Sequence, residues 1–167
     1  LMFVFGNYEI AGTELAGQYD LFVSYCDKGD TVNAERLGTD LLNNSKYRSV
    51  MTDKTTAEIL RYMGDCYFDE GDFANAVENY KSAYEIADDD NAEVCLRDYA
   101  IALVKGKRFS VAQSVISMAE EKFPNSSVNK LLQAEIEYEN GNLENSLNYA
   151  NECLNTESNG DNAFAAF

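Results

Sequence analysis

The residues of this 167-residue chain whose types and spacing could do chemistry are acidic, and they come in runs. Asp88-Asp89-Asp90-Asn91 and Asp69-Glu70-Gly71-Asp72 gather enough oxygen to attract calcium. Asp65 and Asp69, four apart, have the separation of two carboxylates on one helix face, as paired-acid catalysis could use. Neither run supplies a twelve-residue calcium loop with its central glycine and terminal glutamate, so solvated turns and helix caps are the better reading of both. The Asp65 and Asp69 pair reads as an exposed face. Histidine is absent, which removes the commonest general base and the commonest metal ligand together. With no phosphate-binding glycine loop and no nucleophile motif, the chain is expected to be non-catalytic, with no cofactor and no bound metal.

The four cysteines, Cys26, Cys66, Cys95 and Cys153, lie 29 to 58 residues apart, without a CxxC pair or zinc spacing. Each sits in an apolar, helix-like context, which predicts small buried hydrophobes in a reducing, cytoplasmic compartment, with disulfide use the minority alternative. A formal net charge of −16, from 29 acidic against 13 basic residues, repels phosphate backbones and anionic membrane surfaces. Nucleic acid is therefore not an expected partner. Leu1 to Phe5 is too short to span a bilayer, so no direct membrane insertion is expected either.

The elements that must position these residues are helical. Ile10, Leu15, Tyr19, Phe22, Val23 and Cys26 recur at three- and four-residue steps and predict a helix from Asn7, its N-cap, to about Lys28. Gly29-Asp30 breaks it, and a second helix follows from Thr31 to Leu42 with Ala34, Leu37, Leu41 and Leu42 inward. Lys46 to Thr52 reads as a connector. Beyond it, Thr52 or Asp53 caps a helix carrying Ile59, Leu60, Met63, Cys66 and Tyr67, whose partner runs from Phe73 to about Ala87. Further helices are expected over Ala92 to Lys105 and Phe109 to Phe123, then one capped by Ser126 or Ser127, carrying Leu131, Leu132, Ala134, Ile136 and Tyr138 and ended by Asn140-Gly141, and last Leu143 to Leu154 with Leu147, Ala150, Cys153 and Leu154 inward. Asn155 to Asp161 reads as a loop. No stretch alternates as a strand does, so the class is all-α.

Four turns align: Gly29-Asp30-Thr31-Val32-Asn33-Ala34, Gly71-Asp72-Phe73-Ala74-Asn75-Ala76, Lys107-Arg108-Phe109-Ser110-Val111-Ala112 and Gly141-Asn142-Leu143-Glu144-Asn145-Ser146. Their starts are separated by 42, 36 and 34 residues, the first interval being lengthened by the connector. A two-helix period in this range resembles the tetratricopeptide repeat. Leu60, Met63, Gly64 and Tyr67, then Ala76, Tyr80 and Ala83, fall on that family's packing positions. The next unit matches with Leu96, Tyr99, Ala100 and Leu103, then Ala112, Ile116, Ala119 and Pro124. The outer units depart from the pattern: Phe22 stands on a small site, Gly38 on an aromatic one, and Lys130 and Glu137 do not fit. The resemblance implies a single α-solenoid domain, a right-handed superhelix of about four antiparallel pairs (8–43, 53–87, 92–123 and 127–154). Phe164 and Phe167, and a turn-like Gly6 to Ala11, suggest either a piece cut from a longer array or a complete small protein with hydrophobic tails.

That resemblance also implies where a partner binds. First helices of such repeats line a concave face, here carrying Tyr19, Val23, Arg61, Asp65, Phe68, Arg97, Ile101, Leu131 and Tyr138. Arg61 and Arg97 occupy equivalent sites and are expected side by side as a clamp for a ligand carboxylate, unless Glu58, Asp65 or Asp98 pairs with them first. The lysine-and-asparagine set with which some members hold chaperone tails is missing; Tyr19, Val23, Tyr62, Val94 and Asp98 stand in its places. The expected function is a protein–protein interaction module or scaffold that holds a peptide or partner helix of basic or amphipathic character in its groove. The alternative is a dedicated chaperone or secretion accessory that shields a hydrophobic client segment. The terminal repeats offer surfaces for self-association.

Overall fold

In the computed structural model, backbone is described for residues 2–124 and 126–159, and side chains from 9 to 155 apart from 125. Among the described residues there are eight helices and no strand. They are α1 (Met2–Asp27), α2 (Thr31–Asn43), α3 (Asp53–Asp69), α4 (Phe73–Ile86), α5 (Asp89–Lys105), α6 (Phe109–Lys122), α7 (Ser127–Glu139) and α8 (Leu143–Asn159). The chain divides into two compact units, Leu1–Cys95 and Leu96–Phe167.

The same reversal joins α1 to α2, α3 to α4, α5 to α6 and α7 to α8. Its first residue is left-handed: Gly29 at φ 66°, Gly71 at 77°, Lys107 at 58° and Gly141 at 80°. The next residue's amide reaches back five positions to a carbonyl, as in Asp30 to Tyr25 at 2.9 Å, Asp72 to Tyr67 at 2.8 Å, Arg108 to Leu103 at 2.9 Å and Asn142 to Glu137 at 2.8 Å. This Schellman closure satisfies carbonyls that the helix end would leave unpaired. The residue that closes one helix also caps the next. Asp30 accepts from the Asn33 amide at 3.3 Å and from its side chain at 2.8 Å; Asp72 does the same with Asn75 at 3.1 and 2.7 Å. Arg108, having no acceptor, makes no such cap. Asp88 repeats the device with Asn91, which is why α5 starts at Asp89 and not at the expected Ala92.

In the first unit, Leu15, Phe22, Ala34, Leu37, Leu41, Tyr47, Ile59, Met63 and Cys66 form one buried cluster. Leu60 is only half-buried, whereas its neighbour Ile59 is fully buried. The two residues that depart from the repeat pattern compensate for one another. A Cβ built on Gly38 would lie 2.9 Å from the Phe22 ring and 2.8 Å from Met63 Sδ. In the following pair a Cβ on Gly64 would lie 2.6 Å from the Tyr80 ring. Positions 22 and 64 are equivalent, as are 38 and 80, so the large and small partners have changed places while the contact is kept.

The second unit packs Leu96, Ala100, Leu103, Ile116, Ala119, Leu132 and Ile136. Its misfit residues also have local work. Lys130 pairs with Glu120 of α6 at 3.0 Å and Glu152 of α8 at 3.3 Å, and lies 5.6 Å from the centre of the Tyr149 ring. Glu120, first among these carboxylates, holds the Lys130 ammonium above its ordinary pKa. Glu137 accepts from the Asn142 and Asn145 side chains at 2.8 and 3.3 Å, bracing the last reversal.

Several expected boundaries change. α1 already runs through Asn7 and through Gly6 to Ala11, where a cap and a turn-like echo were expected, and α8 continues to Asn159 through the expected loop. The connector is not a bare linker, since Tyr47 is buried in the cluster and its hydroxyl donates to Glu14 Oε1 at 3.0 Å. On α8, Cys153 is buried, but Leu147 and Leu154, expected inward, are 62% and 60% exposed. Phe164 and Phe167 lie outside the described residues.

Candidate functional site

On α3 of the first unit, three- and four-residue steps place Glu58, Arg61, Asp65 and Phe68 along one face, and α1 packs beside it. Tyr19 donates from its hydroxyl to Glu58 Oε2 at 3.0 Å. Burial, and then the Glu58 carboxylate, push the Tyr19 phenol well above its ordinary pKa. Val23 packs against the buried cluster. Arg61 Nη1 lies 3.8 Å from Asp65 Oδ2, and its guanidinium carbon is 5.4 Å from the centre of the Tyr62 ring. Tyr80 of α4 donates to Asp65 Oδ1 at 2.7 Å, so Asp65 ties α3 to α4 while it faces Arg61. Phe68 meets the Phe73 ring edge-on at 5.3 Å. The candidate residues here are engaged with their own neighbours.

The second unit is more open. Arg97 Nε and Nη2 both donate to Asp98 Oδ1, at 3.2 and 3.1 Å. Ile101 is half-buried, whereas Leu131 is 42% and Tyr138 63% exposed. Between and beside them run two ion pairs to α7, one from the last residue of α5 and one from the reversal after it: Lys105 to Glu135 at 2.6 Å and Lys107 to Glu139 at 3.0 Å. These cross-helix pairs were missed from sequence. The available signal is the basic triplet Lys105, Lys107 and Arg108, set in a strongly acidic chain. The surface that results is an apolar ridge, Leu131 and Tyr138, bordered by paired charges.

Two other features were not anticipated. Tyr67 donates to Glu35 Oε1 at 2.7 Å, and burial together with that carboxylate raises its phenol to about 12. A cleft of about 520 Å³ opens between α1 and α2, lined by Glu14, Gln18, Leu21, Arg36, Asp40 and Tyr47 among others. Lys46 ion-pairs with Glu14 at its edge. Among the described residues no group of three or more cysteine, aspartate and glutamate side chains is arranged to hold a metal ion. Among the same residues no helix is long and apolar enough to cross a membrane.

Antiparallel helix pairs, repeated through one recurring reversal and packed by size-matched residues, define an all-α helical-repeat protein. The particular repeat is indicated by comparison: residues 67–136, from the end of α3 into α7, match the tetratricopeptide repeat family. That match supports a protein-interaction role in general. No match to an individual curated protein was found.

Proposed function

We propose that the chain is a non-catalytic interaction module, and that the first-helix faces of its repeats hold a basic, amphipathic peptide or helix. The observation that carries this reading is the exposed pair Leu131 and Tyr138 on α7, seven residues apart and so two turns along one side, bordered by Glu135 and Glu139. An apolar stripe bordered by lysine–glutamate pairs suits a segment whose hydrophobic side covers the ridge and whose polar side meets those paired charges. The net charge of −16 favours the same partner through long-range steering. Tyr19, Val23, Arg61, Asp65 and Phe68 would serve as the corresponding face of the first unit, and Arg97 and Ile101 as that of α5.

The test is fluorescence anisotropy with a labelled amphipathic helical peptide rich in lysine, at several salt concentrations. Affinity is expected to fall as salt rises, and Leu131→Asp with Tyr138→Ala should weaken binding at least tenfold with helicity unchanged. Equal affinity of the double variant and the parent would overturn the assignment of the face.

A second reading, a chaperone or secretion accessory, draws on α8. Leu143, Leu147 and Leu154 are all exposed there and could shield a hydrophobic client segment. Co-expression with a client insoluble by itself separates the two readings. Rescue that survives loss of the α7 ridge but not Leu147→Asp would favour this role.

A further inference from the structure

Within the first unit, α1 and α3 are joined by a ladder of side-chain contacts. Tyr19 donates to Glu58 at 3.0 Å, and the Phe22 ring meets the Tyr62 ring edge-on at 6.1 Å. The rungs step from 19 to 22 to 26 on α1 and from 58 to 62 to 66 on α3, about one helical turn each time. The third rung is therefore Cys26 against Cys66. Both thiols are free, and both lie at the same buried cluster between α1 and α3. Cys66 is buried in the same cluster as Phe22 and Met63, while Cys26 packs against that cluster half-exposed. A narrow cleft bordered by Thr31, Glu35, Met63, Tyr67 and Glu70 reaches Cys66.

We propose that Cys26 and Cys66 form a reversible intramolecular disulfide when the protein meets a peroxide, clamping α1 to α3. Two cysteines 40 residues apart in sequence, on different helices, gain nothing in apolar packing from facing each other that alanine or valine would not supply. Thiol facing thiol across two packed helices, with one of the two half-exposed, is the arrangement that disulfide chemistry needs. The neighbouring Cys26 thiol lowers the Cys66 pKa against the opposing effects of burial and of Asp65, Asp69 and Glu70, and Cys66 in turn raises that of Cys26. Cys66 is accordingly the attacking sulfur. Its thiolate takes one oxygen of hydrogen peroxide as the O–O bond breaks, giving a sulfenic acid and hydroxide. The Cys26 sulfur then attacks the Cys66 sulfur, the S–S bond forms, the S–O bond breaks, and the oxygen leaves as water. Overall two thiols and one hydrogen peroxide give one disulfide and two waters, with two electrons passing from sulfur to oxygen. The clamp would fix the spacing of the two helices that carry Tyr19, Val23, Arg61 and Asp65.

The test treats the full chain with hydrogen peroxide, quenches with catalase, unfolds it, alkylates the remaining thiols with iodoacetamide and maps the peptides by mass spectrometry. The expected result is alkylation of Cys95 and Cys153 only, a peptide linked through Cys26 and Cys66 with the loss of two hydrogens, and alkylation of all four thiols after dithiothreitol. The oxidised protein should also melt about 5 °C or more above the reduced one. Cys26→Ser should abolish the link and leave a Cys66 sulfenic acid that dimedone traps. Four alkylated thiols after peroxide, a link through Cys95 or Cys153, a link between two chains only, or sulfinic acid at Cys66 with no link would each overturn the proposal. The mapping uses the unmutated chain, so its outcome does not depend on whether a variant folds.

Discussion

The helix pairs α1–α2 and α3–α4 solve one packing problem with opposite assignments. In α3–α4 the first helix gives way, with Gly64 admitting the Tyr80 ring. In α1–α2 the second helix gives way, with Gly38 making room for Phe22. The difference teaches that what a repeat requires at this contact is the sum of two volumes, and which helix supplies the bulk is free. It also teaches that the exchange has side effects. Tyr80 brings a hydroxyl that Asp65 accepts, locking α4 to α3, whereas Phe22 brings only hydrocarbon and instead meets Tyr62 of the next pair.

The largest effect should come from removing the bulk. Phe22→Gly leaves a cavity beside Gly38 and should cost about 3–5 kcal/mol in urea unfolding, close to the whole stability of a small domain. Adding bulk should cost less and distinguish the two pairs. Gly64→Ala pushes a Cβ into a ring held by its own hydrogen bond and should cost about 2–3 kcal/mol. Gly38→Ala meets the flexible Met63 thioether as well as the Phe22 ring edge, and should cost about 1–2 kcal/mol. Equal costs at the two glycines would mean that the Tyr80–Asp65 bond does not stiffen the second pair.

Smaller effects of the other sign are expected at the reversal that lacks both glycine and cap. Lys107→Gly relieves a left-handed side-chain-bearing residue and should stabilise by about 1 kcal/mol, read as a higher midpoint in urea. Arg108→Asp supplies the acceptor that Asp30 and Asp72 provide elsewhere and should add about another 1 kcal/mol. The loss of the Lys107–Glu139 pair subtracts little from the first, because surface ion pairs contribute little.

The smallest effect is in pH. The Asn75 amide, then its side chain, hold Asp72 below its ordinary pKa of 3.8. A group depressed on folding stabilises above its unfolded pKa, and that stabilisation is lost as pH falls through the folded value. Asp72→Ala should thus lower the melting temperature slightly at neutral pH, with the gap closing as pH drops below 3.8.

Much of this was legible in the sequence because helices and reversals are local. Three-residue spacing of Asp and Asn after glycine, the apolar periodicity and the interval between turns all report on neighbours within one pair. Pairwise facts were not legible. Phe22 and Gly38 each looked like decay of the repeat, since only together, across two helices, do they make a contact. The burial of Tyr47 depends on how the connector folds back on α1, and the facing of Cys26 and Cys66 depends on the alignment of α1 with α3, neither of which any periodicity encodes. At the candidate site, the possibility that Arg61 and Arg97 would pair on their own helices was visible from the neighbouring acids. Asp65 and Asp98 do face them. Which apolar residues of α7 and α8 stay exposed was harder to read, because Leu131, Leu147 and Leu154 carry the same helical signal as their buried neighbours.

The exchange of bulk is tested most directly by a double-mutant cycle in urea on Phe22→Gly, Gly38→Tyr and the two combined. Each single variant is expected to be clearly destabilised, one by a cavity and the other by overpacking. The combination, which rebuilds the arrangement of α3–α4, should recover about 2 kcal/mol or more relative to the sum of the two. A double variant whose loss equals that sum would contradict the claim that the two positions share one volume.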